Sequence, residues 1–154
     1  MNLPENQNQA PIDTAQTRVF GVEASGIAID PGQIGRLSPI ALAYIGDAVF
    51  ELYVRTRFLM PPKRMADYHS QVVTQVRAES QAIHLATLLP HLNESEKEIL
   101  RRGRNACFAK PRRISRHIYK QASGLETLIG YLHLSDPQRL LQLLARLDLE
   151  STDK

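Results

Sequence analysis

At 154 residues with a 43% apolar share, the chain is long enough for one domain with a core of its own, in the range of soluble globular proteins. The single Cys107 excludes an internal disulfide and a Cys-rich zinc site and fits a reducing, cytoplasmic compartment. Without a run of about 18 apolar residues no membrane span is predicted, and the formal net charge of +3 is small but unevenly spread.

The N-terminus, MNLPENQNQAPID, has neither the basic start nor the apolar stretch of a signal peptide, and Glu5, Asp13 and Glu23 argue against a transit peptide. Residues 1–36 show little apolar periodicity and read as a disordered N-terminal arm, with a short extended piece around Thr17–Val22. The folded domain is expected at 37–150. Ser38-Pro39 places an N-cap ahead of a Pro at the first helical position, so the first helix is predicted over 39–59 and stopped by Pro61-Pro62. Met65, Tyr68, Val72, Val73 and Val76 give helical spacing over 64–77, and a further helix covers 78–89, closed by Pro90. Asn93-Glu94-Ser95-Glu96 caps a helix over 94–107, residues 108–115 form a loop around Pro111, and helices follow at 115–133 and 137–149, the last capped by Ser135-Asp136-Pro137. No segment reads as a firm strand. The expectation is an all-α domain of about six helices.

Two features depart from an ordinary amphipathic pattern. Between Lys97 and Lys120 lie nine Lys/Arg residues against the single acid Glu98. Such a strip is either the electrostatic footprint of a nucleic-acid partner or a solvated basic helix face. The second feature sits in the helix interiors. AYIGDAVFELYVR (43–55) sets Gly46-Asp47 in an otherwise apolar run, although a buried carboxylate and an interior Gly are both unfavourable. ASGLETLIGYL (122–132) repeats the oddity, with Glu126 between leucines and Gly130 four residues on. If the two helices cross at the glycines, Asp47 and Glu126 meet. Two carboxylates in a partly buried place repel unless a cation lies between them, and Mg²⁺ is commonly held by one or two carboxylates with water and phosphate as its other ligands. A metal beside a basic strip is the equipment for phosphodiester hydrolysis. Taken singly, an acid in an amphipathic helix usually faces solvent or caps a neighbour.

YIGDAVFE (44–51), RRGRNA (101–106) and LETLIGYL (125–132), in this order, resemble the ribonuclease III family, whose signatures look like E-x-x-E-F-L-G-D-A and D-x-x-E-A-x-x-G. The match is closer to its compact branch, Mini-ribonuclease III, which has no double-stranded-RNA-binding domain. His69, Val76, Ala78, Gln81 and Ala82 fit a further motif of that branch, and the resemblance covers about 37–149. It implies an all-helical, homodimeric catalytic domain that hydrolyses double-stranded RNA with Mg²⁺, leaves 5′-phosphate and 3′-hydroxyl ends, and matures precursor large-subunit (23S) ribosomal RNA. A ribosomal-protein helper is a candidate further partner.

Carried over by the resemblance, Asp47 and Glu126 are the catalytic metal ligands. Glu51, one turn after Asp47, is expected to support the metal site, with a salt bridge to Arg55 as the alternative. Arg101, Arg102, Arg104 and Asn105 are expected to contact RNA phosphates and 2′-hydroxyls. Lys110, Arg112 and Arg113, flanking Pro111, are expected to clamp the backbone, and His69 to face the substrate. Tyr44 and Tyr119 are expected as core or interface aromatics. Three family acids are absent: Ile40, Ala43 and Ser123 stand in their places, as they do in the compact branch. The alternative on the same fold is a non-catalytic RNA-binding or ribosome-associated protein, which would not need Asp47 and Glu126 together. A helix-turn-helix DNA binder lacks a short turn followed by a basic recognition helix.

Overall fold

The computed structural model describes residues 29–106 and 113–149, and the backbone of 18–19 and 22–23. The elements are β1 (Arg18–Val19), β2 (Val22–Glu23), α1 (Pro31–Ile34), α2 (Pro39–Phe58), α3 (Met65–Val76), α4 (Ala78–Leu88), a 3₁₀ turn at Leu89–His91, α5 (Glu94–Asn105), α6 (Arg116–Ser135) and α7 (Pro137–Leu144). The expected all-α class holds. The two strands are a minimal antiparallel pair, Arg18 opposite Glu23 and Val19 opposite Val22.

The predicted starts are set by side-chain caps. Ser38 Oγ accepts from Ala41 N at 3.1 Å, Ser115 Oγ from Ile118 N at 3.2 Å and Asp136 Oδ1 from Arg139 N at 3.1 Å. Asn93 and Glu96 form a reciprocal capping box, both bonds 2.9 Å long.

Helix α6 is the axis of the fold, with α2, α4 and α5 packed around it. Leu125, Leu128, Ile129 and Leu132 of α6 form one core with Phe50 and Val54 of α2, Leu85 and Leu88 of α4, and Ile99 and Leu100 of α5. Helix α7 closes this core with Leu140, Leu143 and Leu144. Burying that set of large apolar side chains supplies the main driving force for folding.

Two elements depart from the sequence reading. Residues 31–34, within the stretch read as an arm, form one helical turn against α6 and bury Ile34. The remainder of that arm, residues 1–28, lies outside the described residues except for the two strand backbones. Helix α7 ends at Leu144, short of the predicted 149. Arg146 N bonds to Leu143 O and Leu147 N to Leu144 O, so the last turn tightens and stops. The chain then leaves the helix so that Leu149 is buried and its carbonyl accepts from Gln75 Nε2 at 2.9 Å.

Candidate active site

Helices α2 and α6 cross with their backbones in contact. A Cβ added at Gly46 would lie 1.8 Å from the carbonyl oxygen of Glu126, and one added at Gly130 would lie 1.9 Å from that of Leu42. Only glycine fits at either place. The residue before Asp47 therefore touches the backbone of Glu126 itself, and the two side chains leave the crossing together. Their carboxyl groups are hydrogen-bonded to each other.

The electrostatics follow from that placement. Burial pushes the Glu126 carboxyl up to about 7, the Asp47 charge pushes it in the same direction, and a hydrogen bond from Gln81 partly offsets both. Asp47 is also raised, by burial first and then by the charge of Glu51, against the bond with Glu126. Two carboxyl groups that both resist ionisation thus meet at the edge of a cleft, with no basic side chain paired to either among the described residues.

The cleft has a volume of about 430 Å³. Helix α2 lines it with Pro39, Ile40, Ala43, Tyr44 and Asp47, and α6 with Tyr119, Ser123, Glu126 and Thr127. The third wall comes from the RRGRNA segment through Gly103 and Ala106. That segment is held close to α6 by a second tight crossing, where a Cβ on Gly103 would sit 2.4 Å from Thr127 Oγ1. Thr127 is buried, and its hydroxyl is satisfied by the carbonyls of Ser123 at 2.8 Å and Pro39 at 3.3 Å. Among the described residues no group of three or more His, Cys, Asp and Glu comes together. The protein thus offers two carboxylates and open space, a donor set that fits a hard divalent cation completing its shell with water and phosphate oxygens.

The remaining predicted residues are distributed as follows. Glu51 pairs with Arg55 through a 2.8 Å bond and acts on Asp47 by its charge. In RRGRNA, Arg101 is exposed and makes a two-pronged contact with Glu98 at 2.9 and 2.6 Å. Arg102 is half-buried and Asn105 is exposed at the end of α5. The Arg104 stem packs on Gly124, and its Nε is buried with no hydrogen-bond partner among the described residues. Arg113 is exposed just ahead of α6, and His69 is exposed on α3; neither lines the cleft. Lys110, Arg112 and Cys107 lie outside the described residues.

Of the two places expected for Tyr44, core or interface, the core is excluded. Tyr44 is 84% exposed on the cleft rim and is not core, and Ile45 is 39% exposed. Both lie on the outer face of α2, opposite the side that buries Phe50 against α6. Gln81 received no role from the sequence. It is 1% exposed on α4 and bonds to Glu126. Its signal was its place in the motif shared with His69, Val76, Ala78 and Ala82.

A model of the Ribonuclease III domain matches residues 40–137. Mini-ribonuclease 3 of Synechocystis sp. is 58% identical over 120 residues, covering 78% of this chain and 84% of that protein. Mini-ribonuclease 3 of Thermoanaerobacter sp. is 40% identical over 101 residues, covering 64% of this chain and 71% of that protein. A crystal structure of a protein from Fusobacterium nucleatum superposes with a TM-score of 0.66 at 28% identity, covering 70% of this chain and 89% of that one. Ribonuclease III proteins are in general dependent on divalent metal, in keeping with the carboxylate pair. The chain belongs to the Mini-ribonuclease 3 family and is an endoribonuclease built on a ribonuclease III domain.

Proposed function

We propose that the protein cleaves double-stranded RNA with Mg²⁺ held by Asp47 and Glu126, and that its substrate is precursor 23S ribosomal RNA in the cytoplasm. The observation that carries this reading is the hydrogen-bonded pair of Asp47 and Glu126 on a cleft whose third wall is RRGRNA.

In hydrolysis, water adds to phosphorus and the bond from phosphorus to the 3′ oxygen breaks. The phosphate stays on the 5′ oxygen of the following nucleotide, and the released oxygen of the preceding one takes a proton to become a 3′-hydroxyl. Bound at the pair, the cation supplies positive charge to the phosphate and lowers the pKa of water. Asp47 and Glu126 fix its place, and both must be ionised to do so. Glu51 adds negative charge one turn away on α2. Arg104 and Asn105, beside the cleft wall, are suited to phosphate and 2′-hydroxyl contacts across a wide RNA minor groove. Arg101, Arg102 and Arg113, with Lys110 and Arg112, extend the basic surface for the backbone, and His69 extends it on α3.

The outer face of α2 leaves Ile40, Tyr44, Ile45 and Leu52 exposed, between 39% and 84% each. An apolar row of that size on one helix supports a homodimer packed through α2. A two-fold axis would then present two clefts to the two antiparallel strands of one duplex. A ribosomal protein bound to the precursor is a candidate helper.

The test is cleavage of a folded precursor 23S RNA and of a plain RNA duplex in Mg²⁺, with the ends mapped chemically. The expected products carry 5′-phosphates and 3′-hydroxyls on both strands. Cutting of single-stranded RNA alone, or 3′-phosphate ends, contradicts the reading.

A further inference from the structure

We propose that Gln81 is a positioning residue for the reaction: its buried amide fixes the Glu126 carboxylate beside Asp47 and so shapes the divalent-cation site. The inference rests on the proposed function, in which Glu126 is a metal ligand.

Gln81 is a polar side chain on the buried side of its helix. Its helix α4 buries Leu85 and Leu88 on the same side and packs on α6. The start of α4 is tied down around it. Gln81 N donates to Arg77 O at 3.0 Å, Ser80 Oγ donates to the Thr74 carbonyl, and Arg77 Nε donates to Ser80 Oγ at 3.3 Å. One turn on, His84 meets the Phe50 ring edge-on, with centroids 5.8 Å apart. The backbone that carries the amide is therefore held on both sides.

The amide makes one bond and leaves one atom unserved. Its N–H donates to the Glu126 carboxylate, while Oε1 is buried with no hydrogen-bond partner among the described residues. An unpaired buried acceptor is a stability cost that an apolar side chain of the same size avoids. A residue kept only for packing gains nothing from that arrangement. A residue that orients a ligand does. The amide satisfies one carboxylate oxygen without adding charge, which leaves the rest of the group for Asp47 and the cation. Leu here would leave Glu126 free to rotate, and Glu would add a third acid to a pair that already repels. Groups that hydrogen-bond a metal ligand from behind set its orientation and the affinity of the site.

The test compares wild type with Gln81→Met, Gln81→Leu and Glu126→Gln. Mn²⁺ binding to RNA-free protein is read by electron paramagnetic resonance, and RNA cleavage and melting are measured alongside. In both apolar Gln81 variants, Mn²⁺ affinity is expected to fall roughly tenfold or more. The Mg²⁺ needed for half-maximal cleavage should rise in step, kcat should fall, and KM for RNA and the Tm should hold or the Tm rise. Wild-type Mn²⁺ affinity in folded Gln81→Met and Gln81→Leu overturns the inference, as does a lowered Tm with unchanged affinity, which would make the amide structural. Glu126→Gln separates the two readings. Its loss of Mn²⁺ binding with no change in the Gln81 variants contradicts only the role of Gln81, whereas its retention of Mn²⁺ binding contradicts the proposed function.

Discussion

Gly46 and Glu126 touch through the backbone: the position of a Cβ on Gly46 is 1.8 Å from the Glu126 carbonyl oxygen. The close crossing of α2 and α6 and the pairing of the two acids are thus one structural fact. The neighbour of one acid is pressed against the main chain of the other.

Gly46→Ala should therefore harm function more than fold. A backbone carbonyl cannot swing aside, so α2 and α6 must separate, at a cost of about 1–3 kcal/mol or more in stability. Any separation also displaces Glu126 from Asp47, and misplacement of reacting groups by about 1 Å is worth on the order of a hundredfold in rate. Thermal melting and a cleavage time course measure the two effects. A variant with wild-type melting and wild-type rate would show that the crossing is not required.

Glu126→Gln should stabilise the metal-free protein. In the folded state the Glu126 carboxyl is raised from 4.5 to about 7, so the folded chain holds its proton more tightly than the unfolded chain. Stability then falls as pH rises from about 4.5 towards 7, because the unfolded state releases that proton first. Gln removes the penalty. In EDTA the variant should melt above wild type at pH 8, by an amount equivalent to about 1–3 kcal/mol, with the gap closing towards pH 4.5. Equal melting at pH 8 would mean that the acid pair carries no such strain.

Glu96 shows the opposite sign. Burial raises its carboxyl, but the Arg139 guanidinium, at 2.7 and 3.1 Å, and the Asn93 N–H outweigh burial and hold it below its ordinary 4.5. Arg139 also donates to the His91 carbonyl at 2.7 Å, so the pair ties the start of α5 to α7. Arg139→Met leaves a buried carboxylate without its cation and should cost about 3 kcal/mol at neutral pH. The stabilisation from this depressed group is present above about pH 4.5 and lost as pH falls through the folded value. Denaturant melts from pH 7 down to pH 3 should show the deficit of the variant shrinking below pH 4.5. A constant deficit would assign the effect to packing alone.

Arg104→Ala should weaken RNA binding and reduce the slope of log affinity against log salt by about 1. Fluorescence anisotropy across a salt series measures it. Arg101 is engaged with Glu98 in the free protein, so Arg101→Ala is expected to change the slope less. An unchanged slope for Arg104→Ala removes it from the phosphate contacts.

Much of this was legible locally. Ser38-Pro39, the Asn93–Glu96 box and Asp136-Pro137 announce helix starts because capping depends on residues within one turn. Asp47 and Glu126 stand out because each breaks an apolar run beside a glycine, and the crossing they imply is the one found. What depends on distant partners was not legible. Gln81 fits a family motif but has no role until α4 is packed against Glu126. The end of α7 is set by Leu149 and Gln75, which lie 74 positions apart. Ile34 becomes a core residue only because α6 passes its helix turn. Whether Tyr44 lay in the core or on a surface stayed open because the apolar run of α2 gives no sign of which side faces α6.

Asp47 and Glu126 are proposed as the metal-holding centre of an RNA-cutting site. The most direct test is cleavage of an RNA duplex in Mg²⁺ by wild type, Asp47→Asn and Glu126→Gln, with EDTA as control and binding measured in parallel. Wild type should cut and EDTA should abolish the cutting, whereas neither variant should cut and both should bind RNA with close to wild-type affinity. Cutting by either variant at the wild-type rate would contradict that role.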